Sequence, residues 1–262
     1  MLALALLFGC AAREPESTDG WWDAGTQIDV TEALEFTTSS YGFDGGIAEL
    51  AADVFPTDGD VFVFAPDDDY GDARCTTDTS SALPTQITGV VTIHPRYYFK
   101  TAGCTSDDEK FYGSFFLEDD DLGLFVLGDS KVAHFTTGDV ITINVRGVRT
   151  RNDLDMVYAW DLLDVDPQGR AIKYTEQVGP YGVPDLGRVR RIAGTVTTKP
   201  DTFGAFIVTG DSGQAWGAAL DSELNRRGIT FAQGDRVTAT GPILRNYGDN
   251  LIIQSLGQIT KE

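Results

Sequence analysis

The chain has 262 residues, 42% of them apolar, which suffices for one or two domains with real hydrophobic cores. Its formal charge of −20 is unevenly placed: residues 11–86 carry 17 acidic and two basic side chains, residues 87–167 carry 14 and seven, and residues 168–262 carry nine and 11. A field of this sign repels DNA, RNA and anionic lipid surfaces at long range, so nucleic acid is not an expected partner of the full-length chain.

The first element is the apolar run Leu2–Gly9, closed by Cys10. It falls far short of the roughly 20 residues that span a bilayer, and it has no polar face to make it amphipathic. A short apolar stretch that ends in a small residue before a cysteine resembles a bacterial lipoprotein signal, in which the cysteine accepts a lipid and becomes the mature N-terminus. The resemblance implies that residues 1–10 are signal and lipidation site, that Cys10 is the membrane contact, and that the protein resides in the cell envelope. Ala11 and Ala12 follow the cysteine, with no Asp, which favours the outer membrane.

Residues 11–40 are poor in aliphatics and rich in Asp, Glu, Thr and Ser, the composition of an acidic tether. Residues 41–86 read as an extension that packs on the first folded unit. Within it, Ile47 to Val54 fits one short helix and Asp60 to Phe64 alternates like a strand. If Cys10 carries lipid, Cys75 and Cys104 remain as a pair in a compartment that permits disulfides. Closing that loop is worth roughly 3 to 4 kcal/mol in the chain-entropy model. The acidic runs Asp67–Asp72 and Glu118–Asp121 lack the spacing of a calcium loop and read as solvated loops. No metal and no cofactor is expected.

After residue 86 the chain repeats itself. Ile87–Thr92 matches Ile192–Thr197, Tyr112–Leu117 matches Phe203–Val208, and Phe135–Ile143, with its Gly138-Asp139, matches Phe231–Ala239, with its Gly234-Asp235. Apolar strands at Leu124–Leu127 and Gln214–Leu220, and last strands at Met156–Val165 and Asn250–Ile259, complete five per copy. Glycine supplies an unusual backbone angle and aspartate bonds nearby amides, so the recurring Gly-Asp is read as turn geometry. Two sets of five strands in this order resemble the OB-fold, a small Greek-key barrel, and look like the OB-like modules of bacterial exported proteins. The fold class is therefore all-β: two tandem five-stranded OB-like barrels at 87–167 and 188–262, joined by a Pro- and Gly-rich linker at 168–187.

An OB barrel commonly binds ligands on strands two and three and between the loops joining strands one to two and four to five. The resemblance places Tyr97, Tyr98 and Phe99 in such a loop of the first copy, Arg245, Asn246 and Tyr247 in one of the second, and Trp216 on a third strand. Packing of Tyr97–Phe99 and Trp216 inside the fold is the competing reading. Arg188, Arg190, Arg191, Arg226, Arg227 and Arg245 are the residues that could make a positive groove, or they could face the acidic segment. Gly210-Asp211-Ser212-Gly213 resembles the nucleophile segment of chymotrypsin-like proteases, with His134 as the available base, yet hairpin-turn chemistry accounts for the same residues. The reading is a non-enzymatic binding or envelope-scaffold module whose partner is an envelope protein or surface ligand. The alternatives are a nucleic-acid or carbohydrate binder and a hydrolase with a carboxylate pair.

Overall fold

The computed structural model describes residues 33–55, 61–66, 77–102, 108–128, 133–228, 231–246 and 248–262. Cys10, Cys75, Cys104, the Asp67–Asp72 run and Tyr247 lie outside the described residues. The chain opens with β1 (Phe36–Thr37), α1 (Ile47–Asp53), β2 (Phe62–Phe64) and β3 (Thr77–Thr79). The first barrel follows as β4 (Thr85–Val91), β5 (Tyr97–Ala102), β6 (Asp108–Glu118), β7 (Gly123–Val126), β8 (Val140–Arg151) and β9 (Leu154–Asp166). Two short strands, β10 (Ile172–Lys173) and β11 (Thr175–Glu176), precede the second barrel. That barrel comprises β12 (Val189–Thr198), β13 (Ala205–Thr209), β14 (Ala215–Leu220), α2 (Ser222–Arg226), β15 (Arg236–Arg245), β16 (Asp249–Ile253) and β17 (Ile259–Lys261).

Both barrels close by the same route. In the first, β4 pairs β6, β6 pairs β7, β7 runs parallel to β9, β9 pairs β8, and β8 returns to β4. In the second, β12, β13, β14, β16 and β15 repeat that circuit, and β14 runs parallel to β16. Alternation of side chains drives the closure: on β8, Ile141, Ile143 and Val145 are fully buried while Thr142 and Asn144 between them are half-buried. The Gly-Asp turns are superposable in chemistry. Gly138 (φ 89°) and Gly234 (φ 97°) donate to Val91 O at 2.8 Å and Val196 O at 2.9 Å, each fastening the turn to the first strand of its barrel. The Asp139 carboxylate accepts the Thr136 N–H at 2.8 Å, and the Asp235 carboxylate accepts the Ala232 N–H at 2.9 Å.

Two local expectations need correction. Tyr97, Tyr98 and Phe99 lie on a strand, β5, antiparallel to β6, and not in a loop. The segment read as one last strand, Asn250–Ile259, is split into β16 and β17: β16 stops at Ile253, and the buried Gln258 side chain takes over the next amides. Its Oε1 accepts the Gln254 N–H at 2.7 Å and the Ser255 N–H at 3.1 Å, and its Nε2 donates to Thr240 O and Ile252 O at 3.1 Å.

Glu118–Asp121, read as a solvated loop, is instead the fastening point of the N-terminal segment. Asp120 Oδ1 accepts the Tyr41 N–H at 2.7 Å and the Lys173 ammonium at 3.0 Å. Its Oδ2 accepts the Ser40 hydroxyl at 2.6 Å and the N–H groups of Gly42 and Phe43 at 2.7 and 3.0 Å. Asp119, fully buried, accepts the Gly45 N–H at 3.2 Å and the Ile47 N–H at 3.1 Å, which sets the start of α1. From there α1 places Ile47 and Leu50 in the core, and β2 joins the sheet against β8. Part of the segment read as tether, Phe36–Thr37, pairs in parallel with Ile172–Lys173 of the segment read as linker, so both contribute to the fold.

Burial alone would raise the Asp120 carboxyl, but its bonds from Ser40, Lys173, Tyr41 and Gly42 outweigh that and hold it well below the usual carboxylate range. Its stabilisation is thus present above the ordinary Asp value and disappears as pH falls through the lower folded value. Asp120→Asn is expected to cost about 1 to 3 kcal/mol in urea unfolding at neutral pH. The difference from wild type should shrink as the pH is lowered. An equal difference at neutral and strongly acid pH would refute this account.

Candidate functional site

Among the described residues, Val90 of β4 shares an apolar cluster with Ile172 of β10 and Val189 of β12, and backbone or polar contacts join the two barrels at three places. At the first, Gly123 and Gly187 meet backbone to backbone: a Cβ on Gly123 would lie 2.2 Å from Gly187 O, and one on Gly187 (φ 77°) would lie 2.3 Å from Gly123 O. Beside them Glu118 Oε2 accepts the Val189 N–H at 3.2 Å, with Arg188 Nε 3.9 Å from Oε1. At the second, Arg96 of the first barrel donates to Gln254 O at 2.7 Å and pairs with Asp221 at 3.4 Å. Asp221 is also the N-cap of α2, accepting the Leu224 N–H at 2.9 Å. At the third, Arg245 crosses from the second barrel to Asp153 at 2.7 Å while holding Asp249 through Nε and Nη2 at 2.7 and 2.9 Å.

The third contact forms one wall of a groove of about 540 Å³, within the size range of small-molecule sites. Consecutive residues line it: Phe99, Lys100 and Thr101 of β5, Arg151 and Asn152 at the β8–β9 hairpin, and Arg245 and Asn246 at the β15–β16 hairpin. Successive strand residues face opposite ways, so a groove touched by three in a row runs along the edge of β5. Asn152 (φ 52°) and Asp153 (φ 62°) both occupy the left-handed region, the geometry of a two-residue hairpin, and present the Asn152 amide to solvent. Arg151 donates to Thr101 Oγ1 at 2.5 Å, while Leu154 and Met156 supply a buried apolar floor.

Of the residues singled out in the sequence, the groove brings together Phe99, Arg245 and Asn246. The others go elsewhere. Tyr97 packs edge-on against Phe125 at 6.1 Å, with burial as the main cause of its raised phenol pKa and Asp221 adding to it. Tyr98 is 37% exposed and lies 5.1 Å from Tyr112. Trp216 is 6% exposed, and its indole N–H donates to Gly179 O at 2.8 Å, so it fills its own barrel and ties down the linker. Arg245 is a clamp between barrels, and Asp249, bonded to it, raises its pKa further. Lys100, Thr101, Arg151 and Asn152 were not foreseen. Their spacing in the sequence marks two separate strands, and only barrel packing makes them neighbours.

The remaining arginines of the second barrel have acidic or aromatic partners. Arg188 faces Glu118, Arg190 pairs with Asp185 at 2.7 Å, and Arg226 and Arg227 pair with Glu223 at 2.7 and 2.8 Å. Arg191 stacks 3.5 Å over the Tyr174 ring and bonds Thr240 Oγ1 at 2.9 Å. Ser212 sits in the β13–β14 hairpin turn, closed by Gly213 N–H to Gly210 O at 2.9 Å, as turn chemistry requires. His94 is held neutral, its pKa lowered to about 4 by burial and then by Arg96. Among the described residues no group of His, Cys, Asp and Glu side chains could hold a metal, and no helix is long and apolar enough to cross a membrane.

No protein-family model matches the sequence, and no curated protein matches it. Among solved structures it is similar to the HINa domain of Ifi202 in complex with 20-base-pair double-stranded DNA, at 13% identity and a TM-score of 0.32, over 68% of this chain and 95% of that one. It is also similar to the single-stranded DNA binding protein from Thermus aquaticus, at 10% identity and a TM-score of 0.20, over 68% and 91% of the two chains. A replication protein A heterotrimer bound to single-stranded DNA follows at 10% identity and 0.23, over 63% of this chain and 49% of that one. Likenesses this distant carry no ligand to this chain, whose site is argued from its own residues.

Trp216→Ala is expected to destabilise the second barrel by about 3 to 5 kcal/mol, as deletion of a buried aromatic does. The groove should keep its shape, because Trp216 does not line it. Urea unfolding gives the first quantity. Amide chemical shifts at Asn152 and Asn246 check the second, and large changes there with a modest loss of stability would contradict this placement.

Proposed function

We propose that this chain is a non-enzymatic binding protein, anchored in the cell envelope by lipid on Cys10, and that the groove between its barrels receives the ligand. The carrying observation is that two barrels, fixed together by apolar, backbone and polar contacts, converge three hairpins or strand edges on one groove with an apolar floor and polar rim. The Asn152 and Asn246 amides at its rim suit a short polar ligand with hydroxyl groups, such as a saccharide. Long nucleic acid is disfavoured by the net charge of −20 and by the acidic partners of the arginines on the second barrel. The pairing of Cys75 with Cys104 belongs to the same reading of an oxidising compartment.

Two measurements test the proposal separately. For the anchor, Cys10→Ser should move the protein from the membrane to the soluble fraction of its native host, and an intact Leu2–Gly9 on the mature protein would end that part of the reading. For the groove, a panel of short glycans, acidic peptides and oligonucleotides should be titrated against the full chain at physiological salt, with NMR shifts at Asn152 and Asn246 as the readout. The expected result is saccharide binding that Asn152→Ala and Asn246→Ala weaken at least about tenfold, equivalent to about 1.4 kcal/mol. Tight, salt-sensitive oligonucleotide binding would replace this reading with the nucleic-acid one.

A further inference from the structure

Glu118 ends β6 where four parts of the chain meet. Its side chain is 2% exposed, and its hydrogen bond to the second barrel is the Val189 N–H at 3.2 Å. Its neighbours are far better served. Asp119 accepts N–H groups from Gly45, Ile47, Asp121 and Leu122, and Asp120 accepts the Ser40 hydroxyl, the Lys173 ammonium and three further N–H groups, from Tyr41, Gly42 and Phe43. An ionised carboxylate offers about four acceptor sites, and leaving them unmet in a buried contact is costly, whereas the neutral acid loses much less.

The charged and titratable groups around it come from every element packed there. Arg188 and Arg190 face it from the second barrel, Lys173 from β10, the Tyr41 phenol from the N-terminal segment, and Asp119 and Asp120 from its own turn. Arg188 Nε, at 3.9 Å, is too distant to hydrogen-bond the carboxylate. The cations therefore supply attraction through space and leave the oxygens of Glu118 short of donors.

We propose that Glu118 is a proton-operated latch between the barrels: protonated, it lets β12 dock on the first barrel as a neutral contact, and ionised, it loosens that docking. Burial, opposed first by Arg188 and then by the Val189 N–H, pushes its carboxyl up to about 8, which places the transition close to neutral pH. The folded value lies above the ordinary value of 4.5, so the stabilisation is complete below 4.5 and is lost as pH rises through about 8. Because the groove is built from both barrels, loosening one against the other alters its width.

The test uses the full chain, with the Glu118 carboxyl carbon followed by NMR from about pH 4 to about pH 10, spanning the ordinary and shifted values. Residual dipolar couplings recorded in parallel report the orientation of one barrel against the other. The expected result is a Glu118 midpoint near 8, an inter-barrel change and a Val189 amide shift with the same midpoint. Glu118→Gln should hold the low-pH orientation throughout. A Glu118 midpoint in the ordinary carboxylate range, or couplings that ignore its titration, would overturn the proposal. Should Glu118→Gln fail to fold, the wild-type titration decides alone.

Discussion

The structure depends on three consecutive carboxylates at one turn. Asp119 fixes the start of α1, Asp120 gathers residues 40–43 and Lys173, and Glu118 meets the second barrel. Each acid thus holds a different part of the chain, and backbone N–H groups rather than counter-ions do most of the holding at Asp119 and Asp120. Such bonds are directional, so they define position as well as attraction. Loosening this turn would release the N-terminal segment, the linker and the junction together.

The barrels were legible because their information is local. Alternating β-branched runs, two Gly-Asp turns 96 residues apart and loops of variable length between them specify the strands without reference to distant residues. The helix at Ile47–Asp53 and the strand at Phe62–Phe64 were legible for the same reason. The role of Glu118–Asp120 was not. An acidic run reads as solvated unless one knows that a segment some 75 residues earlier returns to place its amides around it, and backbone donors leave no mark in a sequence. Gln258 is a comparable case: a glutamine amide that bonds main-chain groups just past a strand looks like any surface glutamine until the chain is folded.

The groove was half legible for a related reason. OB topology pointed to the loop at Arg245–Asn246 and to Tyr97–Phe99, of which Arg245, Asn246 and Phe99 line the groove with Lys100, Arg151 and Asn152, while Tyr97 and Tyr98 do not. What could not be read was which side chains are packed or paired inside the fold. Trp216 and Tyr97 are aromatic residues in the right elements, but their rings are packed into the molecule. Arg245 is committed to Asp153 and Asp249, so it shapes the groove more than it offers charge to it. The acidity of the chain has the same effect on the second barrel, where nearby carboxylates absorb arginines that would otherwise make a basic face.

The contact of Gly123 with Gly187 bears on how such a protein can change over evolutionary time. Neither barrel meets the other through side chains at that point, so neither can accommodate a bulkier neighbour by changing a rotamer. Tandem modules are often treated as interchangeable parts, free to be shuffled between genes. Here a transplanted barrel would have to bring a glycine at the right place in its own turn, or the recipient would be forced to hold its new partner at a different angle. The contact thus ties the fit of one barrel to the glycine of the other, although each folds by the same local rules.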